Sequence, residues 1–323
     1  MTQMLDCATA PSLSKCMEAA KSINAGGWNA YIGGPRSAGS GWTPELVREL
    51  LANGLKVCLC YVGQQGGSTL NSVQGAKDGA AAVSLVQTTY GFGRGTPVVL
   101  DIEESTFENN PNAALDYAVA WIQTVRNAGL KPGIYSGPKA LEALAARGST
   151  AWSDFVWVAS WQSTKYTSSV DPHHIPGFPD GLWRYPGQRI WQYAGSFGGQ
   201  QCVVDGLSVD ISVADDGCLV SRPNAPVLTA PQNGQPYYQH DGQQQHVTFS
   251  WNTVPGATGY RLYISQQING SWTKLLDTWP RLTSTTYSLN VGFGNYVWEV
   301  AADIGPAESA WSAQFEFTVS EQP

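Results

Sequence analysis

Along the first two thirds of the chain, short apolar runs alternate with longer stretches of helical periodicity. The apolar runs predict strands at residues 4–8, 28–34, 56–63, 98–104, 132–137, 154–161, 188–194 and 207–213. Between them, Ser12 or Ser14 opens a helix over 12–25, and Thr43-Pro44-Glu45 opens another with Thr as cap and Pro at the first position. Asn53-Gly54 closes that second helix, a third spans 71–90, and a fourth runs over 112–128 until Gly129 stops it. Alternation of this kind argues for parallel βαβ units, and eight strands in about 215 residues suit a small α/β barrel. From Trp161 to Gln188 a Pro-, Gly- and Ser-rich stretch has no helical periodicity, so the last strands lack full helical partners. The expectation is a distorted TIM-type (β/α) barrel over residues 1–220.

The texture changes at residues 221–234, where Ser221, Pro223, Asn224, Pro226, Pro231 and Gly234 read as a linker. Residues 235–323 then carry short strands at 247–251, 259–266, 286–289, 294–301 and 314–319, the spacing of an all-β immunoglobulin-like sandwich. Trp251 ahead of Pro255-Gly256-Ala257-Thr258-Gly259-Tyr260, followed by residues 296–301 and Trp311-Ser312, resembles a fibronectin type III domain. That resemblance is specific for fold and nearly silent on function. Trp272, Trp279 and Trp311 are read as core or linker residues before they are read as a glycan-gripping strip.

Composition removes several function classes. The formal charge is -7 with 13% charged residues, which leaves no basic patch for nucleic acid and no polybasic membrane anchor. No apolar run approaches the roughly 18–20 residues that span a bilayer. Residues 1–10 lack the basic region and apolar run of a secretory leader. Thirteen Trp and fourteen Tyr supply rings for cores or for sugar-stacking walls. Cys7 with Cys16, and Cys202 with Cys218, are candidate disulfide pairs in an oxidising setting, whereas Cys58 and Cys60 share a strand face and read as buried free thiols. No metal site and no cofactor are expected, because the cysteines lack His neighbours at ligand spacing. His173-His174 has no nucleophile signature around it.

The candidate chemistry lies at the strand ends. In Val98-Val99-Leu100-Asp101-Ile102-Glu103-Glu104, side-chain alternation puts Val99, Asp101 and Glu103 on one face and turns Glu104 away to a surface or helix-facing role. Asp6 ends the first strand, Tyr31 the second, Tyr61 the third, Tyr135 the fifth and Trp161 the sixth, and Asp210 lies on the eighth. On the seventh, Trp191 and Gln192 alternate, and Gln192 is taken as the inward hydrogen bonder. Acids from several strand ends, walled by aromatic rings, suit a polyol at the active end of a barrel.

These residues also carry a family resemblance. Leu-Asp-Cys-Ala-Thr-Ala-Pro-Ser from Leu5, Tyr-Ile-Gly-Gly from Tyr31, Tyr-Val-Gly-Gln from Tyr61, Asp-Ile-Glu from Asp101, Ile-Tyr-Ser from Ile134 and Gln-Tyr-Ala-Gly from Gln192 resemble the glycoside-hydrolase-like domain family of unknown function 1906. More distantly they resemble the lysozymes of glycoside hydrolase family 25, although the Tyr-Ile-Gly-Gly and Tyr-Val-Gly segments depart from that pattern. The resemblance implies Glu103 as proton donor, Asp101 as its charged neighbour, and Asp6 and Asp210 as the completing acids. It implies a glycan-cleaving architecture, with bacterial cell-wall peptidoglycan or another polysaccharide as partner and an extracellular or wall-associated setting. A monomer is expected. Tyr31, Tyr61, Tyr135, Trp161 and Gln192 are the expected substrate-binding residues, and a carbohydrate-binding protein that uses the same pocket without turnover is the alternative.

Overall fold

The computed structural model describes residues 1–321 except 38, 149–151, 177–187, 223, 241, 255 and 305–306. Part of the stretch between Trp161 and Gln188, and Pro223 and Pro255 of the linker and sandwich readings, lie outside the described residues. The chain forms two compact units, Met1–Ser221 and Arg222–Pro323.

The first unit is a closed barrel of eight strands. Seven follow the parallel course: β1 (Thr2–Asp6), β2 (Gly27–Gly33), β3 (Lys56–Val62), β4 (Pro97–Asp101), β5 (Lys131–Ser136), β6 (Phe155–Ser163) and β7 (Arg189–Ala194). Helices α1 (Leu13–Ser22), α2 (Pro44–Ala52), α3 (Ser72–Ser84), α4 (Glu104–Asn109), α5 (Pro111–Asn127) and α6 (Pro138–Ala146) connect them. The expected caps are present: Ser12 accepts from Lys15 N and Thr43 from Leu46 N. α4 and α6 are additions to the sequence reading; both are under three turns, too short to build a clear periodic stripe.

The eighth strand corrects the expectation of a TIM-type barrel. Residues 207–213 do not form one strand. Val203–Val204 (β8) and Leu207–Ser208 (β9) make a small hairpin around Asp205 and Gly206, both at positive φ, and the barrel strand is β10 (Asp210–Ala214). β10 runs antiparallel to β1 and to β7, so the sheet is mixed. A parallel return needs a long crossover, usually a helix; here the chain comes back from β7 through a hairpin, and the direct return reverses the strand. The reversal has a chemical consequence, since the N-terminal residue of β10 then lies on the same rim as the C-terminal ends of the parallel strands. Asp210 sits directly opposite Asp6.

Inside the barrel, Met4, Cys58, Cys60, Val99, Phe155, Trp157, Ile190 and Ala214 pack as one buried cluster with Tyr31 and Tyr135 against it. Cys58 and Cys60 are there as free thiols, as expected. The two disulfide expectations are not met, because all six cysteines are free. For Cys202 and Cys218 the topology explains why: Cys202 feels the charge of Asp210 at the start of β10, whereas Cys218 follows the end of that strand and feels Asp215, Lys131 and Asp216.

The second unit is a two-sheet sandwich. One sheet has the order β11 (Leu228–Ala230), β13 (Gln245–Trp251), β16 (Thr286–Val291). The other runs β12 (Gln235–Gln239), β19 (Phe315–Glu321), β17 (Gly294–Ile304), β14 (Gly259–Ile268), β15 (Ser271–Asp277), with the short β18 (Ala307–Glu308) beside β17. Val247, Phe249 and Trp251 from the first sheet meet Leu262, Ile264, Trp298 and Val300 from the second, with Phe249 edge-on to Trp298 at 5.2 Å. β11 lies inside the segment expected to be linker.

Candidate active site

The period-2 pattern of the parallel strands turns Asp6, Asn29, Tyr31, Asp101, Tyr135 and Gln192 toward the barrel axis at one rim, and antiparallel β10 delivers Asp210 there. Two adjoining hollows share Tyr31 and Ala8 at this rim. One, of about 340 Å³, is bounded by Asp101, Glu103, Arg36 and Gln65. The other, of about 290 Å³, is bounded by Asp6, Asp210, Trp161 and Ser196. Together they form a bilobed groove with two carboxylates on each side.

Each acid is held differently. Asp6 accepts from Asn29 Nδ2 at 3.1 Å and from the Tyr31 hydroxyl at 2.9 Å. Asp210 accepts from Gln192 Nε2 at 3.2 Å. The carbonyl oxygen of that same Gln192 accepts from the Tyr135 hydroxyl at 3.0 Å and from the Trp161 indole N–H at 2.9 Å. Gln192 is thus the hub that ties its own strand to β5, β6 and β10 beneath the groove. Asp101 Oδ1 has no hydrogen-bond partner among the described residues. Glu103 lies beyond the end of β4, as the residue that caps α4, and its side chain is the open one of the pair. Gln65 fixes this corner: its Oε1 accepts from Glu103 N at 2.8 Å and from Thr106 Oγ1 at 3.1 Å, while its Nε2 donates to the Asp101 carbonyl at 3.1 Å.

Burial sets the protonation. Removal from water raises Asp101 to about 8, with the charges of Glu103 and Asp6 adding and Arg36 offsetting part. Burial and the facing Asp210 raise Asp6 to about 7, despite the donors Asn29 and Tyr31. Asp210 rises to about 6, again through burial first. Glu103 is raised by burial as well, and Arg36 pulls it back. Both members of the pair are thus pushed up by burial, Asp101 to about 8 and Glu103 with Arg36 pulling it back. The carboxyl one strand position deeper loses more hydration, and an oxygen without a donor is tolerated inside only when the group is neutral.

Of the expected substrate-binding residues, the rim brings together Tyr31, Tyr135, Trp161 and Gln192. Tyr61 is a correction. It is 3% exposed and its ring packs on Trp121 of α5, with Asp78 of α3 as its charged neighbour, so it belongs to the layer between barrel and helices. The cause is alternation: Cys60 faces inward, and its neighbour must face out. Trp191 likewise turns outward and donates to Ser160 O. Glu104 has the helix-facing role expected of it, accepting from Lys139 N in the first turn of α6. His173 contacts Asp215, beyond the far end of β10, and takes no part in the rim.

Sequence reasoning missed four residues here. Asn29 was findable, two positions before Tyr31 on the same strand face. Gln65 directly follows the Tyr-Val-Gly-Gln segment. Arg36 and Phe197 gave no periodic signal, because both sit in irregular loops. Phe197 is 42% exposed and lies 6.3 Å from the Trp161 ring, which is itself 39% exposed, so the pair forms an aromatic lip. Two motif glycines also gain a reason. A Cβ on Gly195 would meet Asp210 Oδ1 at 2.6 Å and the Trp161 ring at 2.7 Å, and one on Gly34, at φ 114°, would strike the Val62 carbonyl.

Among solved structures, the chain is similar to an Fn3-like protein from Clostridium thermocellum, at 20% identity and TM-score 0.21, covering 32% of this chain and 96% of that one. It is also similar to FN3tt, at 14% identity and TM-score 0.22 over 31% of this chain and 98% of that one. A fn3 domain of human collagen alpha-1(XX) matches at 17% identity and TM-score 0.23, over 32% and 88% of the two chains. No curated protein matches the chain. Among the described residues no helix is long and apolar enough to cross a membrane. Residues 19–214, from α1 to the end of β10, match the family described as Rv2525c-like, glycoside hydrolase-like domain. With the greater part of its length matched, and with it the Asp-x-Glu strand end, the hub glutamine and the closing acid, this chain belongs to the Rv2525c-like, glycoside hydrolase-like domain family, and its function is glycan-related.

Proposed function

We propose that the barrel hydrolyses glycosidic bonds of bacterial cell-wall peptidoglycan, outside the cell or at its wall. The observation that carries this reading is the pairing of buried Asp101, whose carboxyl is pushed up to about 8, with the more exposed Glu103 beside Arg36, on one side of a hollow of about 340 Å³. Glycoside cleavage needs a protonated acid at the leaving oxygen and a negative charge, or a nucleophile, for the oxocarbenium-like centre. In the free protein Asp101 is the acid that holds its proton at neutrality, and Glu103 is the carboxylate that stabilises the developing charge or activates water. Asp6 and Asp210 are already engaged by Asn29, Tyr31 and Gln192, which suits them to hold sugar hydroxyls, and the charge of Asp6 helps to keep the Asp101 proton in place. The Trp161–Phe197 lip offers a face for the next sugar along the chain.

The test is incubation with purified peptidoglycan and measurement of new reducing ends. Wild-type protein is expected to release them, and Asp101→Asn and Glu103→Gln each to lower the rate about 100-fold or more. The free-enzyme rate should fall on the alkaline side as pH passes about 8, where Asp101 gives up its proton. Binding to the wall polymer without release, unchanged by either substitution, would replace hydrolysis with the carbohydrate-binding reading.

A further inference from the structure

We propose that the sandwich carries a carbohydrate site of its own, on the outward face of its larger sheet, which grips a neutral polysaccharide chain between the Trp272 indole and a polar row from Gln267, Asn295 and Glu316. Three tryptophans of this unit were candidates for such a role, and their surroundings separate them. Trp311 is occupied by Tyr263 and the Arg261 guanidinium, and Trp279 by the Arg281 guanidinium. Trp272 makes no ring or cation contact among the described residues and is 47% exposed.

Strand register places the rest. Tyr296 and Phe317 point into the sandwich core and stack at 4.9 Å, so their chain neighbours Asn295, Glu316 and Thr318 face outward. Trp272 on β15 is paired with Gln267 on β14, and Asn295 on β17 with Thr318 on β19. The side chains link across the strands: Asn295 Nδ2 donates to Gln267 Oε1 at 3.1 Å, and Thr318 Oγ1 donates to Asn295 Oδ1 at 3.1 Å. These bonds fix both amides with one Asn295 N–H and the Gln267 amino group left for a ligand. The residues border a hollow of about 310 Å³ on a sheet face that would otherwise be a flat solvated surface.

The chemistry of the lining names the ligand. An exposed indole offers a flat apolar face to the C–H side of a pyranose ring. Amide N–H groups donate to ring hydroxyl oxygens, and the Glu316 carboxylate accepts from a hydroxyl pair. No cation lines the hollow among the described residues, and one carboxylate does, which disfavours a carboxylate-bearing chain. The site is independent of turnover in the barrel and stands whether or not the barrel cleaves peptidoglycan.

Full-length protein would be co-sedimented with insoluble chitin and cellulose as neutral chains, and with calcium polygalacturonate gel as the charged one. The expected result is sedimentation with at least one neutral polymer and not with polygalacturonate. Trp272→Ala and Gln267→Ala should each weaken binding about fivefold or more. Both side chains lie on the outward face, so melting temperature checks that the fold is kept. Failure to sediment with either neutral polymer, equal sedimentation with polygalacturonate, or a loss of less than about fivefold in both variants overturns the proposal. Reducing-end release from peptidoglycan, measured on the same variants, reports the barrel separately.

Discussion

At the residue scale, three consecutive positions show how far neighbours diverge. Ile102 is fully buried, Glu103 opens onto the groove, and Glu104 serves the helix α6. Glu104→Ala should therefore lower stability by about 0.5–2 kcal/mol, the usual worth of a helix cap, while leaving glycan chemistry unchanged. Asp101 should behave in the opposite way. Its folded-state value, about 8, lies far above the 3.8 of an exposed carboxyl, so the folded protein binds the extra proton. Stability is then fullest below about pH 4 as far as this group is concerned, and is lost as pH rises toward 8. Asp101→Asn removes that loss and should raise the melting temperature more at pH 8 than at pH 5, by about 1–3 kcal/mol in stability at the higher pH, while removing activity. Equal effects at the two pH values would show that Asp101 is not buried and neutral. Gly195→Ala should displace Asp210 or Trp161, and lower kcat/KM with little change in melting temperature, because the clash falls at the groove and not in the core.

At the scale of elements, the corner between β4 and α4 decides the geometry of the acids. Asp101 closes the strand and Glu103 starts the helix, so their carboxylates are not held by one regular strand but by a turn that Gln65 pins through three hydrogen bonds. Gln65→Ala should cost about 1 kcal/mol in stability. It should lower kcat more than it raises KM, since its three hydrogen bonds hold the corner that carries the acids. The seven parallel strands were legible in the sequence because their apolar runs are continuous and their helices carry caps at Ser12 and Thr43. The direction of β10 was not read. Its signal, the Asp205-Gly206 turn six residues before Ser212, is local, but whether a strand returns directly or crosses over depends on the barrel edge left open for it.

At the scale of the molecule, two units with separate cores make two cooperative transitions the expectation in calorimetry. With six free thiols, a reductant should leave both transitions in place; a drop of several degrees on reduction would mean that a disulfide stabilises the protein. The barrel unit gathers its candidate acids at one rim, where barrels carry their sites, although its final strand runs the other way. Reversal of that strand preserves the rule, because it brings its first residue, and not its last, to the rim that holds Asp6.

The amino-acid sequence by itself determined the alternation of strands and helices, the change of texture into a β-sandwich, and the residue types that face the barrel axis, because each follows from a period of two or 3.6 and from local turn chemistry. It also placed Asp6, Asp101, Glu103 and Asp210 among the strand-end residues. Only the tertiary structure decided how deeply each of them is buried, that Tyr61 faces the helices, and that Asn29 bonds Asp6, Gln192 bonds Asp210 and Gln65 pins the backbone of Asp101 and Glu103. Those outcomes depend on burial and on distances between residues far apart in the chain. Hydration lost on closing the barrel is a property of the closed barrel, and no window of sequence contains it.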